Sequence, residues 1–255
     1  MLRFPISGLI EHEQAMMSKE PIPRGAKSDI PARDDLSDFL TQVNRLPPVA
    51  RDAGKRGRLV FAMDATMSRQ PTWDRALQIQ ANMFKETESI GGLDVQLVYF
   101  RGFDECRASK WVRSPTALAR LMTNIDCRGG STQMSRVLSH IKSEARSVKV
   151  SAAVYVGDAM EENVDSLCRT AGEIGLLGVP LFMFQEGRDG DAERAYREIA
   201  RLTRGAYFQF DGSSAALLRE LLAAVAVYAT GGRQALANHA QNAAGSARLL
   251  LQQLT

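Results

Sequence analysis

The sequence predicts an α/β protein: a doubly wound, mostly parallel sheet of Rossmann-like architecture, with helices on both faces and one short antiparallel edge strand. Two observations carry this. From Arg58 onward, five short runs rich in β-branched and aromatic residues recur, and they show little polar alternation, as strands covered on both faces do. The segments between them place apolar residues three and four positions apart, the spacing of helices that bury one face. Strand then helix, repeated, yields parallel strands joined by crossover helices.

The predicted strands, in order, are Arg58 to Met63, Leu93 to Phe100, Ser151 to Val156, Pro180 to Phe184 and Ala206 to Phe210. The predicted helices are Trp73 to Ser89, Thr116 to Ile125, Gln133 to Arg146, Val164 to Ile174, Ala192 to Leu202 and Ser214 to Tyr228. Ala108 to Val112, after a turn at Asp104 and Glu105, is expected to pair antiparallel with the Leu93 strand as the edge.

On either side of residues 58–230 the composition changes. Residues 1–57 hold Pro21, Pro23, Pro31, Pro47 and Pro48 with mixed charges, the composition of a flexible arm. Within it, Asp35 to Arg45 carries Leu36, Phe39, Leu40 and Val43 behind an Asp cap, the pattern of a short amphipathic helix. After Gly231 and Gly232, residues 231–255 read as a helical tail interrupted by Gly245. Its Leu249, Leu250, Leu251 and Leu254 form a stripe suited to packing or self-association.

The composition narrows the function. With 32 basic and 29 acidic side chains, the net charge of +3 is too small to imply a nucleic-acid field. Arg194, Arg197, Arg201 and Arg204 alternate with Glu193 and Glu198 as a solvated helix face does. Cys106, Cys127 and Cys168 form no CxxC pair, and His12, His140 and His239 show no HxxxH spacing. Disulfide scaffolds, cysteine zinc sites and histidine triads are therefore unsupported, and reduced, mostly buried thiols are expected. Glu11 and Glu13 interrupt the apolar start, and Arg219 and Glu220 interrupt the stretch from Ala215 to Ala229. Neither reads as a signal peptide or membrane span, and the expectation is a cytoplasmic protein.

In open α/β sheets, ligands bind beyond the carboxyl ends of the strands. Three polar segments fall there: Asp64-Ala65-Thr66-Met67-Ser68, Gly129-Gly130-Ser131-Thr132, and Gly157-Asp158-Ala159-Met160-Glu161-Glu162. They offer carboxylate and hydroxyl oxygens without thiolate or imidazole, a donor set for a hard cation, Mg²⁺ or Mn²⁺. Asp64 and Asp158 balance the divalent charge, and Thr66, Ser68 and Thr132 add neutral oxygens. The competing reading is that these hydroxyls cap the following helices and Asp158 a turn. Ser131 is the alternative to Thr132. Glu161 and Glu162 read first as a solvated loop face, the alternative being that they add negative potential or hydrogen bonds around Asp158; Asp189 reads as a helix cap.

The three segments DATMS, GGST and GDAME resemble the metal-ion-dependent adhesion site of von Willebrand factor type A (VWA) domains, over about Arg58 to Tyr228. The family's first segment is DxSxS. Thr66 departs from it while keeping the hydroxyl. The resemblance implies a protein-interaction module in which Asp64, Thr66, Ser68, Thr132 and Asp158 hold the ion and a partner's Asp or Glu completes its coordination. The alternative is a Mg²⁺-dependent phosphotransferase of the haloacid dehalogenase type, suggested by Gly157-Asp158. That pattern requires DxDx[TV], and Thr66 occupies the place of the second Asp, the general acid. No GxGxxG or GxxxxGK[ST] loop follows the first strand, so a nucleotide fold is not indicated.

Overall fold

A computed structural model describes residues 56–211 and 215–242 of the chain. The helix expected over Asp35 to Arg45 and the leucine stripe of the tail lie outside the described residues. Six strands form one sheet: β1 (Gly57–Asp64), β2 (Leu93–Arg101), β3 (Glu105–Ala108), β4 (Ala152–Gly157), β5 (Leu181–Glu186) and β6 (Ala206–Phe210), in the order β3-β2-β1-β4-β5-β6. All neighbours are parallel except β2 and β3. The helices are α1 (Gln70–Ile79), α2 (Ala81–Thr87), α3 (Pro115–Thr123), α4 (Met134–Ser147), α5 (Val164–Leu176), α6 (Gly190–Leu202) and α7 (Ala215–Asn242).

Strand alternation divides the interior into two cores. Leu59, Phe61 and Met63 of β1, Val154 and Val156 of β4, and Phe182 and Phe184 of β5 pack with α1, α2, α3 and α7. Val60 and Ala62, Ala153 and Tyr155, and Leu181 and Met183 face α4, α5 and α6. The central strands β1, β4 and β5 are thus apolar at consecutive positions because both of their faces are covered, which is the doubly wound arrangement.

Four boundaries differ from expectation. The edge strand is Glu105–Ala108, three residues earlier than predicted, and Val112 adds only an isolated bridge to Val95. Glu105 is therefore a strand residue rather than part of the turn, and Glu105 and Arg107 give the edge the charged character that discourages further pairing. The single helix predicted over Trp73 to Ser89 divides at Gln80 into α1 and α2. The boundary expected at Gly231 and Gly232 is a break within α7: Gly232 takes φ 68°, left-handed backbone that favours glycine. Arg56, assigned to the arm, is bound to the domain: its Nε donates to Asp94 at 2.6 Å and its Nη2 to the Leu93 carbonyl.

No helix of the described residues is long and apolar enough to cross a membrane. The three cysteines are unpaired; only Cys127 is buried, while Cys106 and Cys168 are partly exposed.

Candidate metal centre

The parallel register places the predicted residues on one rim. Asp64 ends β1 opposite Phe100 of β2, and the Ala65 N–H donates to the Phe100 carbonyl at 2.9 Å. Asp158 directly follows β4, the other neighbour of β1. The strand to each side therefore delivers its loop to the point where β1 ends.

Hydrogen bonds join four of the five predicted ligands. The Thr66 N–H donates to Asp64 Oδ1 at 2.7 Å, the Thr66 and Ser68 hydroxyl oxygens lie 3.3 Å apart, and Ser68 Oγ donates to Asp158 Oδ2 at 2.9 Å. Thr132 joins through the loop that carries Asp158: its N–H donates to Glu161 Oε2 at 3.1 Å, and its hydroxyl accepts from the Glu161 N–H at 3.3 Å. The Thr132 loop also meets the first segment, since the Arg128 N–H donates to the Ala65 carbonyl at 3.0 Å.

The capping alternative does not describe these side chains. Neither Thr66, at the start of the short 3-10 turn, nor the residues opening α1 and α4 make a side-chain cap bond. The N-terminus of α4 is instead capped from a distance: the Glu162 carboxylate accepts from the Met134 and Ser135 N–H groups. Of the two readings of these acids, the hydrogen-bonding one describes Glu162, which is half-buried, while Glu161 is exposed and hydrogen-bonded at once. Both acids clamp the Thr132 loop to the loop after β4, and negative charge at a helix N-terminus is favourable.

Asp64 is almost wholly buried, at 1% exposure, and its Oδ2 has no hydrogen-bond partner. Burial pushes its carboxyl up to about 6, against the lowering effect of the Thr66 hydrogen bonds, and nearby Asp158 adds to the rise. A buried carboxylate oxygen without a donor is costly, and a cation at that position would relieve the cost. The donor set also fits: oxygen only, two carboxylates and three hydroxyls. Among the described residues no group of three His, Cys, Asp or Glu side chains is positioned to hold a metal, so hydroxyls are required to complete such a site.

Two features went unrecognised in the sequence. Arg69, 2% exposed, pairs with Glu186 at the end of β5, where the Thr72 hydroxyl also donates and Arg75 approaches to 3.6 Å. This network braces the turn after β1 against β5. Gly157 carries the second: a Cβ there would meet Tyr196 Oη at 2.7 Å, and that hydroxyl donates to the Ala159 carbonyl at 2.9 Å. The glycine before Asp158 thus permits the tyrosine to hold the loop.

The sequence matches no family model and no curated protein. The folded chain does resemble solved structures. A von Willebrand factor type A protein from Catenulispora acidiphila aligns with TM-score 0.55 and 18% identity, covering 66% of this chain and 42% of that one. The VWA domain of SpRpn10 aligns with TM-score 0.51 and 11% identity, covering 68% of this chain and 95% of that domain. The fold is the VWA fold. The pilus adhesin SpaC from Lactobacillus rhamnosus GG, in its open conformation, aligns with TM-score 0.55 and 11% identity over 76% of this chain and 31% of its own. This chain therefore spans less than half the length of the Catenulispora protein and of the adhesin. At such identities the likeness concerns the VWA fold alone.

Proposed function

We propose that this VWA-fold chain is a metal-dependent protein-interaction module. Asp64, Thr66, Ser68, Thr132 and Asp158 hold Mg²⁺ or Mn²⁺, and an Asp or Glu side chain of a partner protein completes the coordination. The observation that carries the reading is the unpartnered, buried Oδ2 of Asp64 beside the hydrogen-bonded series Thr66, Ser68 and Asp158. Two carboxylates balance a divalent ion and leave it able to take one more anionic oxygen. When bound, the ion supplies a Lewis-acidic position for that oxygen. The chain's own residues orient the donors: Tyr196 and Glu161 fix the second and third segments, and Arg69 braces the first.

Thr132 is preferred over Ser131 because its hydroxyl is tied to the Asp158 loop through Glu161. The name of one structural neighbour, an adhesin, agrees with a binding role. A phosphotransferase has less support, since Thr66 cannot serve as the general acid that the reaction needs. Three unpaired cysteines accord with a reducing, cytoplasmic setting.

Calorimetry with MgCl₂ on the native chain, Asp64→Ala and Asp158→Ala tests the site: equal affinity in all three rejects it. A pull-down with and without chelator then tests the mode of binding, and a partner retained in EDTA argues against it.

A further inference from the structure

We propose that Met67 and Phe103, with Arg128 nearby, form an apolar shelf beside the candidate metal centre that selects a protein segment whose acidic residue is flanked by bulky apolar side chains. This rests on the metal-dependent reading above and specifies its partner. Among the described residues few large apolar side chains are exposed, and two of them, Met67 at 62% and Phe103 at 82%, stand on the rim that carries the site. Each lies three residues beyond the in-register pair Asp64 and Phe100 on neighbouring strands. Met67 is the residue between Thr66 and Ser68.

Phe103 is displayed on a braced support. The Gly102 carbonyl accepts from the Ser131 N–H and from Gln133 Nε2, each at 3.2 Å, and Arg136 donates to the Asp104 carbonyl at 2.7 Å while pairing with its carboxylate. Gly130 presses so closely on Gly102 that a Cβ there would collide with its backbone. A backbone braced on both sides of Phe103 before binding leaves only the ring's own rotation to be lost on binding, which keeps the cost of using it as an anchor low.

The occupant follows from charge. Arg128 is exposed, its backbone bonded to Ala65 at the end of β1, and it enters no ion pair found among the described residues. A cation there, added to the ion's open position, favours an anionic segment. A carboxylate alone would leave the ring of Phe103 and the side chain of Met67 in water. Apolar neighbours on the same segment would cover them.

The test uses three peptides, Ac-Gly-Leu-Asp-Leu-Gly-NH₂, Ac-Gly-Gly-Asp-Gly-Gly-NH₂ and Ac-Gly-Leu-Asn-Leu-Gly-NH₂, titrated by NMR into the full chain with MgCl₂ and with EDTA. The expected result is about tenfold tighter binding of the Leu-flanked than the Gly-flanked Asp peptide. The ratio should fall below about twofold in Phe103→Ser and in Met67→Ser/Phe103→Ser, and Asn for Asp should abolish binding. Equal affinity of the two Asp peptides overturns the shelf while leaving the metal reading intact, as does a ratio that survives in both variants. Failure of both Asp peptides to bind in MgCl₂ overturns the metal-dependent reading and the shelf with it. A dimer that forms without peptide and disperses in Phe103→Ser assigns the shelf to a second copy and overturns the proposal.

Discussion

Ser68 Oγ donates to Asp158 Oδ2 across 2.9 Å, so the turn after β1 and the turn after β4 are closed on each other at the carboxyl edge of the sheet. The bond spans 90 residues of sequence. It exists because β1 and β4 are adjacent parallel strands that end side by side, with Met63 opposite Val156. Asp64 completes the cluster with an oxygen that nothing in the described chain satisfies.

That oxygen leads to the first prediction. Without metal, Asp64→Asn removes a buried, uncompensated charge and melts at or above the native temperature. At Mg²⁺ near a hundred times its Kd, the native chain gains about 2.7 kcal/mol, a rise of several degrees. Asp64→Asn gains little. Differential scanning fluorimetry in EDTA and in MgCl₂ should therefore show the two melting curves approaching or crossing; an equal metal-induced rise in both would contradict the assignment.

Much of this was legible in the sequence, for a physical reason. Runs such as Ala152 to Val156 announce a strand covered on both faces, and the strand-helix alternation fixes which strand ends can carry a ligand. Asp64 and Asp158 stand out as candidate ligands because they come within two residues of the ends of those runs, and Ser68 because it shares the loop that Asp64 opens. Glu162 was misread because it caps a helix 28 residues earlier in the chain, a partner that local pattern does not reveal. Arg69 was missed because burial of a guanidinium depends on Glu186, 117 residues away. The edge strand slipped in position because Glu105–Ala108 is four residues long and half charged, so its pairing with β2 rather than its composition makes it a strand.

Glu162 supplies the second prediction. Its carboxylate accepts from two N–H groups that α4 would otherwise leave without partners. Glu162→Ala should lower stability by about 1–2 kcal/mol, as loss of a helix cap does, read as a shift in the urea midpoint. Glu162→Gln, which keeps an acceptor but loses the charge, should fall between the two. A native midpoint for Glu162→Ala would exclude the capping role.

The third prediction concerns Gly130. A methyl group there has no room against the backbone of Gly102, so Gly130→Ala must move either the hairpin between β2 and β3 or the Thr132 loop. Overpacking of this kind costs about 1–3 kcal/mol. Gly129→Ala meets nothing within 4 Å and should be tolerated. Thermal melts of the two variants provide the comparison, and equal melting temperatures would contradict the close approach.

Glu105 gives a pH dependence. Hydrogen bonds from Arg101 and Arg107, with one from Tyr99, hold its carboxyl down to about 2, from an ordinary value of 4.5, even though the side chain is partly exposed. The folded value lies below the unfolded one. Its contribution is therefore complete above about pH 4.5 and is lost as pH falls toward 2. Urea midpoints of the native chain should drop through that window more steeply than those of Glu105→Gln. Parallel profiles would remove Glu105 from the account of acid lability.

The pair Arg69 and Glu186 is asymmetric, which sets the order of its variants. Arg69 is deeply buried, and its Nε and Nη2 have no partner, so Glu186 carries the compensation of its charge. Glu186→Gln strands that cation, and breaking a buried pair in this way costs about 3–5 kcal/mol. Arg69→Met leaves Glu186 with the Thr72 hydroxyl and with Arg75 at 3.6 Å, so it should cost less. In the double variant no stranded charge remains, and stability should recover part of the loss in Glu186→Gln. A double-mutant cycle measured by urea unfolding reads this directly: additive effects would mean that the two groups do not depend on each other, and a larger loss in Arg69→Met would reverse the assignment of the dependent partner.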